Sequence, residues 1–333
     1  MSTNPSPHLR DLAAPRNFFI GAAVHTGAFS GDESDYRDLL QREFNVLVAE
    51  NMMKFGELSR TPNTYDWTHS DALVDFAAQH GMKVRGHTLV WHQQLPKWVT
   101  SSQWTTHDVQ TLLEQHIKMV VGRYRGRIWA WDVVNEAIAD SGGYRTDSFW
   151  YQQFGPEYIA LAFRWAHEAD PNAILYYNDY ETEALNPKSD GVYALVCDLK
   201  QSGVPIHGVG WQMHVGEGWR VSDGHHQNAA RLRELGLELA MTEMDVRCQT
   251  PATAAQLESQ ATSYREAVEF ALATCSALVL WGFTDKYSWI PRFRPGYGAA
   301  LPFDAAYQPK PAYYAIQQAL VGTDEAAQAQ AKD

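Results

Sequence analysis

The sequence has few features of metal-binding, disulfide-rich, membrane or nucleotide-binding proteins. Its only cysteines are Cys197, Cys248 and Cys275. Because they are odd in number and lack CxxC spacing, a disulfide framework or zinc site is not expected, although one Cys248–Cys275 bridge stays open. No run of about eighteen apolar residues is present, so no segment is predicted to span a membrane. No GxGxxG motif follows a predicted strand. We expect no metal and no cofactor.

Positive charge is also scarce. The 333 residues contain 27 Lys and Arg against 39 Asp and Glu, which gives a formal net charge of -12. Nucleic acids and anionic membranes repel such a protein, whereas a neutral ligand such as a polysaccharide does not. Residues 1–16 lack the charged and then apolar layout of a signal peptide, which favours a cytoplasmic protein. Oligomeric state cannot be predicted from these numbers.

Aromatic residues, in contrast, are plentiful. The chain has 12 Trp, 16 Tyr and 13 Phe, or 12% of all residues. Many of them must fill the core of a protein this size. Sugar rings also stack on flat aromatic faces, so clefts that bind carbohydrate collect Trp and Tyr. Composition alone does not separate these two interpretations, and the positions of the aromatics must decide.

Short β-branched runs alternate with longer amphipathic runs along the chain. The predicted strands are Phe18–Val24, Asn45–Glu50, Lys83–Val90, Ile128–Asn135, Ala173–Asn178, Gly208–His214, Leu237–Glu243 and Ala277–Thr284. The predicted helices are Tyr36–Glu43, Ser70–His80, Thr106–Tyr124, Pro156–Glu168, Ser189–Gln201, His226–Leu235, Pro251–Thr274 and Pro311–Leu320. Eight such pairs without a composition break predict a single α/β domain, a (β/α)8 TIM barrel over residues 17–322. Residues 1–16 and 323–333 are predicted to be a flexible leader and tail. The alternative architecture is an open doubly wound sheet.

Two glutamates stand at the ends of predicted strands. Glu136 ends the run Trp131–Glu136, and Glu243 ends the run Leu239–Glu243. In a barrel, the carboxyl ends of the strands form one face, where catalysis occurs, so both side chains should point into the same cleft. Cleavage of a glycosidic bond needs one carboxylic acid that protonates the leaving oxygen and one ionised group that attacks or stabilises the sugar cation. The pair therefore indicates a glycosidase.

The chain resembles glycoside hydrolase family 10 xylanases over roughly residues 18–320. The matching stretches are Glu50-Asn51-x-x-Lys54, Gly86-His87-Thr88-Leu89-Val90-Trp91-His92, Trp131-Asp132-Val133-Val134-Asn135-Glu136-Ala137, Asn178-Asp179-Tyr180, Gln212-x-His214, Thr242-Glu243-x-Asp245 and Trp281-Gly282-x-Thr284-Asp285. Any one of them is weak evidence. Their joint presence in this order, at barrel spacing, is specific.

The resemblance implies an endo-β-1,4-xylanase that cleaves xylan or xylo-oligosaccharides with retention of configuration. Glu136 is then the general acid/base and Glu243 the nucleophile. Asn135 is expected to bond to the 2-hydroxyl of the sugar being cleaved. His214, with Asp245 behind it, is expected to keep Glu243 ionised and oriented.

The same resemblance implies a set of substrate-binding side chains. Those on the non-reducing side of the scissile bond (the glycone side) are expected to be Glu50, Asn51, Lys54, His87, Trp91, Gln94 and Gln212, with Trp281 and Trp289 packed against the sugars. Tyr180 is expected to be the stacking platform on the leaving-group side, with Asn178 close by. The resemblance gives no role to Arg292 and Arg294.

Two alternatives remain at this point. A sugar-binding barrel without activity should have lost one of the two carboxylates, and this sequence has both. A β-1,4-glucanase would keep the same carboxylates and differ in the room left for the hydroxymethyl group at C5 of glucose. A bulky indole such as Trp289 over that edge would exclude glucose, because overpacking commonly costs about 1–3 kcal/mol. Activity on xylan and on carboxymethylcellulose, measured side by side, separates these readings.

Retention predicts the configuration of the first product. The two carboxyl groups should lie about 5–5.5 Å apart, since inverting enzymes need ~6.5–9.5 Å to admit a water molecule. Proton NMR of the earliest xylo-oligosaccharide products should therefore show the β-anomer first. An α-anomer appearing first would contradict the retaining mechanism.

Overall fold

The computed structural model describes residues 7–322, and these form a closed barrel. Its strands are β1 (Phe19–Val24), β2 (Val46–Ala49), β3 (Lys83–Val90), β4 (Ala130–Asn135), β5 (Ile174–Asp179), β6 (Gly208–Trp211), β7 (His214–Gly216), β8 (Glu238–Gln249), β9 (Ala277–Leu280) and β10 (Tyr297–Gly298). Eight of them pair in parallel in the order β1-β2-β3-β4-β5-β6-β8-β9, and β9 pairs again with β1. The predicted TIM barrel is confirmed.

Helices surround this barrel. They are α1 (Leu9–Ala13), α2 (Ser34–Glu43), α3 (Phe55–Leu58), α4 (Thr68–Gln79), α5 (Lys97–Thr100), α6 (Thr106–Arg123), α7 (Phe149–Phe154), α8 (Glu157–Ala169), α9 (Pro187–Gln201), α10 (Asp223–Glu234), α11 (Ala254–Thr274), α12 (Ile290–Phe293) and α13 (Pro311–Val321). Because helices cover the strands outside and side chains fill the barrel inside, the strands are buried on both faces. All four residues of β2, Val-Leu-Val-Ala, are buried accordingly.

Two of the predicted strands differ from the structure in ways that shape the cleft. The run predicted as Gly208–His214 divides into β6 and β7, because Met213 takes a left-handed backbone conformation with φ 66°. The strand predicted to stop at Glu243 runs on to Gln249, and its second half pairs with β7 and β10. These two short strands build a wall above the barrel mouth. The polar residues that follow Glu243 in β8, among them Asp245, are therefore held in place by strand pairing.

Part of the predicted flexible leader is ordered. Leu9–Ala13 form α1, and Leu9 and Ala13 are fully buried. The backbone N–H of Leu9 donates to Glu43 of α2 at 3.1 Å, and Arg10 donates to the carbonyl of Gln41 at 2.7 Å. The leader prediction is therefore wrong for these residues, because two apolar side chains among polar neighbours are enough to fix a short helix. The predicted tail, 323–333, lies outside the described residues.

The state of the cysteines answers whether Cys248 and Cys275 form a disulfide bond. All three cysteine thiols are free, so the Cys248–Cys275 bridge is not formed. Burial raises the pKa of the Cys248 thiol and that of the Cys275 thiol to about 12 each.

Within residues 7–322, every helix is too short or too polar to cross a bilayer.

The docking of α1 predicts a measurable contribution to stability. Leu9→Ala should lower the free energy of unfolding by about 2–5 kcal/mol, since it empties a buried site that the surroundings refill only in part. Leu12, on the same helix, is only partly buried. Leu12→Ala should therefore cost distinctly less, and urea midpoints of both variants measure the difference. Equal midpoints for the two variants would show that α1 does not dock as described.

Candidate active site

Glu243 lies in the middle of β8 and is 5% exposed. One carboxylate oxygen accepts a hydrogen bond from the Asn178 amide at 2.7 Å, and the other faces Nε2 of His214 at 3.2 Å. Nδ1 of that histidine lies 2.9 Å from Asp245. The predicted support of Glu243 by His214 and Asp245 therefore matches the contacts seen.

The electrostatics of this group favour an ionised Glu243. Burial acts to raise the pKa of Glu243, but the nearby His87 and the His214 hydrogen bond outweigh it, so the pKa lies below the ordinary glutamate value. For His214, burial alone would lower the pKa. The adjacent Asp245 and Glu243 carboxylates reverse that effect and raise it to about 10. His214 is thus protonated at neutral pH and donates from both ring nitrogens.

Glu136 follows β4 directly and is 7% exposed. Its Oε1 accepts from Nε2 of Gln212 at 2.9 Å and from the amide of Asn135 at 3.2 Å. Its Oε2 accepts from the indole N–H of Trp91 at 2.8 Å. Both carboxyl oxygens are therefore held by hydrogen-bond donors, which fixes the orientation of the Glu136 carboxyl group.

The backbone of Glu136 is held as firmly as its side chain. Its φ of 57° lies in the left-handed region, which a non-glycine residue adopts only when its surroundings impose it. The Glu136 N–H donates to the carbonyl of Asn178 at 2.9 Å, and Nε of Arg145 donates to the Glu136 carbonyl at 2.9 Å. Sequence analysis missed Arg145, which stands on the loop after the strand and outside any predicted element.

Three side-chain amides connect the carboxylates. The side-chain oxygen of Asn135 accepts from Asn178 at 2.9 Å and from Gln212 at 3.3 Å. Because Asn178 also donates to Glu243 and Gln212 to Glu136, one network spans both carboxylates. Asn178 is fully buried and Gln212 is 3% exposed. Both amides were predicted to lie near the substrate, and in the structure they bond to the two carboxylates, so their contacts with sugars stay a prediction.

A second layer lies deeper in the barrel. His87 is 1% exposed, with Nδ1 3.0 Å from Asp132 and 3.8 Å from the Glu243 carboxylate. Arg85 forms a buried ion pair with the same Asp132. Burial acts to raise the pKa of Asp132, but Arg85 and His87 together hold it below its usual value. His87 therefore lies beside Glu243, and Asp132, which is paired with Arg85, supports this histidine. Neither Arg85 nor Asp132 was predicted as a site residue.

The residues expected on the glycone side do converge. Nζ of Lys54 donates to Asn51 at 3.0 Å, and the Gln94 amide donates to the same oxygen at 3.4 Å. The Lys54 ammonium also lies 4.8 Å from the ring centre of Trp91 and 5.9 Å from that of Trp281. Glu50 stands next to this group, and burial raises its pKa despite the nearby lysine. One wall of the cleft thus presents donors beside aromatic rings.

Trp289 joins this wall to the group around Glu243. Its indole N–H donates to Asp245 at 2.8 Å, and its ring centre is 4.9 Å from that of His214. Trp281 lies on the other side, with its ring centre 6.4 Å from His214 and 5.1 Å from His87. Both indoles therefore border the buried polar groups around Glu243.

Tyr180 is fixed on the opposite side of Glu136. Its hydroxyl donates to Asp140 at 2.5 Å and accepts from Arg145 at 3.1 Å. Nζ of Lys188 lies 2.9 Å from the Tyr180 ring centre and 3.0 Å from the buried Asp179. Burial raises the pKa of Asp179 to about 7, against the opposing effect of Lys188. The Lys188 ammonium group therefore covers one face of the Tyr180 ring.

Sequence analysis missed Asp140 and Lys188, although one signal was available. Asp179 directly follows the predicted strand Ala173–Asn178. A carboxylate buried there needs a cation from elsewhere in the chain, and Lys188 supplies it.

No cluster of three or more His, Cys, Asp or Glu suited to holding a metal ion occurs among residues 7–322. The site presents two carboxylates held by hydrogen-bond donors, with polar and aromatic walls on either side.

Comparison with known proteins gives a consistent result. Residues 8–319 match the family model of glycosyl hydrolase family 10. The chain is 45% identical to endo-1,4-beta-xylanase B of Thermotoga neapolitana over 316 residues, covering 94% of this chain and 91% of the relative. Xylanase 10B of Thermotoga petrophila, solved in complex with xylobiose, is 45% identical with a TM-score of 0.93, covering 96% of this chain and 98% of that one. The intracellular xylanase of Thermoanaerobacterium saccharolyticum, solved with xylotriose, is 36% identical with a TM-score of 0.87, covering 94% and 99%.

The contact between His214 and Glu243 predicts a shift in titration. Since the His214 cation lowers the pKa of Glu243, the change His214→Gln should raise it. Carbon-13 NMR of labelled glutamate carboxyl groups measures the midpoint. His226, which is exposed, provides the matched control, and His226→Gln should leave that midpoint in place. A midpoint that stays put or falls in His214→Gln would refute the coupling.

Proposed function

The chain belongs to glycosyl hydrolase family 10, and we propose that Glu136 is its general acid/base and Glu243 its nucleophile. The activity is that of a retaining endo-1,4-β-xylanase, which cleaves β-1,4-xylosidic bonds within xylan or xylo-oligosaccharides. One observation carries the residue assignment: a single amide network, Asn135, Asn178 and Gln212, connects two buried carboxylates at the mouth of the barrel.

In the first step, Glu243 attacks the anomeric carbon while Glu136 gives its proton to the departing glycosidic oxygen. The C–O bond to the leaving sugar breaks as the bond to the Glu243 carboxylate forms. The lowered pKa of Glu243 supports this role, because a nucleophile must be ionised at working pH. Its two donors, Asn178 and His214, also orient the attacking oxygen.

In the second step, Glu136, now ionised, takes a proton from water, and the resulting hydroxide oxygen displaces Glu243 from the sugar. The free enzyme returns with Glu136 protonated and Glu243 ionised, and the product keeps the β configuration. Hydrogen bonds from Trp91 and Gln212 to the two oxygens of Glu136 hold the carboxyl group in a fixed orientation for this proton exchange. Asn135 uses one amide hydrogen on Glu136, which leaves the other for the 2-hydroxyl of the bound sugar.

The two walls supply the substrate contacts in this proposal. The glycone wall binds hydroxyls through the donors and acceptors of Glu50, Asn51, Lys54 and Gln94, with sugar faces against Trp281 and Trp289. Tyr180 offers its uncovered face to the leaving sugar, since Lys188 occupies the other. Trp289 excludes the C5 hydroxymethyl of glucose by overpacking, which favours xylan over cellulose-type chains by roughly ten- to a hundredfold.

We also infer a cytoplasmic site of action on short xylo-oligosaccharides. Support comes from the relative in Thermoanaerobacterium saccharolyticum that is described as intracellular. Fractionation of the native cells, with activity assayed in each fraction, tests the inference. Activity found mainly in the culture medium would refute it.

The acid role of Glu136 predicts different losses on different leaving groups. Glu136→Gln has no proton to donate, so turnover of xylan should fall about 10²–10⁴-fold. A dinitrophenyl xylobioside needs no protonation of its leaving group. Its first-step burst of dinitrophenol should therefore stay near the wild-type rate, followed by slow turnover. Stopped-flow absorbance measures both phases.

The control replaces an exposed carboxylate outside the cleft. Glu258 lies exposed on α11, and Glu258→Gln should leave both substrates at wild-type rates. Equal losses on xylan and on the burst phase in Glu136→Gln would argue against the acid assignment. In the same assays, Glu243→Ala should show neither burst nor turnover.

A further inference from the structure

An exposed basic and aromatic segment follows Trp289, and the mechanism above does not use it. We call Arg292, Phe293, Arg294 and Tyr297 the rim patch. Phe293 is 65% exposed and Tyr297 41%, and both arginines are exposed. Large apolar side chains at this level of exposure are few on the described surface, so two of them within six residues that also hold two arginines form a distinct feature.

The rim patch is built onto the catalytic wall. The ring centre of Phe293 lies 5.2 Å from that of Trp289, whose indole N–H is bonded to Asp245. Tyr297 belongs to β10 and pairs with Gln249 at the end of β8, the strand that carries Glu243. The segment is therefore tied at both ends to elements of the active site. A chain lying along the cleft past Trp289 comes within reach of these side chains.

The charge of the rim patch is not neutralised by its own protein. Neither Arg292 nor Arg294 forms an ion pair with a carboxylate of residues 7–322, whereas Arg123, Arg127 and Arg231 pair with aspartates elsewhere on the surface. Arg247, farther along β8, likewise has no carboxylate partner in that range and donates to the His214 carbonyl at 3.1 Å. One side of the cleft thus carries unpaired guanidinium groups on a protein of net charge -12.

These features suit an anion that is part of the substrate. A free guanidinium binds a carboxylate through two parallel N–H···O bonds, and an exposed aromatic face accepts a pyranose ring. A nucleic acid or an anionic membrane would meet the repulsion of the whole protein. A single carboxylate on a sugar side group interacts mainly with nearby charges, because salt screens the charges that lie farther than about 8–10 Å away.

We propose that the rim patch binds the carboxylate of a uronic acid side group on xylan, so that acidic xylan is preferred over the same polymer without charge. The proposal rests on the proposed function, since it assigns a substrate feature to the same cleft. Arg292 and Arg294 supply the carboxylate contacts, and Phe293 supplies an apolar face for the ring. Each arginine is a specificity-determining residue here and takes no part in bond cleavage.

The test compares glucuronoxylan with its carboxyl-reduced form, which keeps the side groups and removes their charge. Wild-type kcat/KM at low salt should be about three- to tenfold higher on the acidic polymer, because exposed charge pairs are individually weak and two act together. In Arg292→Gln/Arg294→Gln the ratio should fall towards one. In Arg292→Lys/Arg294→Lys much of it should remain, since the charge is kept. Addition of 0.5 M NaCl should reduce the wild-type ratio towards one at this exposed site.

Arg125 provides the matched control. It is exposed in the turn between α6 and β4, at the opposite end of the barrel from the cleft, and Arg125→Gln should retain the full preference. A wild-type ratio of one, or a double glutamine variant that keeps the preference, would overturn the proposal. Because each result is a ratio on an enzyme that cleaves xylan, such an outcome is distinct from failure of the xylanase assignment, which would show as no cleavage of either polymer.

Discussion

The structure of the site depends on keeping one buried carboxylate charged. A carboxylate as deeply buried as Glu243 would take up a proton unless cations and N–H donors replaced the lost water. His214 and Asn178 bond to it directly, and the nearby His87, 3.8 Å away, acts to lower its pKa. Each supporting group then needs support of its own, which Asp245 gives to His214 and Asp132 gives to His87. The polar interior of the barrel mouth is the consequence of this one requirement.

The barrel meets the requirement through strand register. Asn135 is the partner of Asn178 in the β4–β5 ladder, and Asn178 is the partner of Gly210 in the β5–β6 ladder. Two amides on neighbouring strands therefore point the same way and bond to each other. At Gly210, a Cβ atom would come within 2.4 Å of the Asn178 side-chain oxygen, so a larger residue there would displace the amide. The glycine is thus part of the support of Glu243.

How far the sequence predicts this arrangement depends on how local each signal is. Glu136 and Glu243 end apolar runs, and strand ends meet on one face of a barrel, so their convergence follows from pattern and motif. Asn178 and Gln212 were found by the same motifs, but their hydrogen bonds to the two carboxylates were not predicted, because a sequence does not show which polar group at a strand end is turned inward. Lys188 and Arg145 come from a helix start and a loop. Their contacts with Tyr180 depend on chain segments that no periodicity locates.

Asp245 connects the shape of the cleft to its charge. The same oxygen, Oδ2, lies 2.9 Å from His214 and accepts from Trp289 at 2.8 Å, and Oδ1 has no partner within the described chain. Removal of the indole would take one of the two donors from a fully buried carboxylate. Asp245 would then rely on His214 alone, and the balance that keeps this histidine protonated beside Glu243 would change. In the proposed mechanism, selectivity against glucose and ionisation of Glu243 are therefore coupled, because a smaller side chain at Trp289 would alter the electrostatics of Glu243 as well as the room at C5.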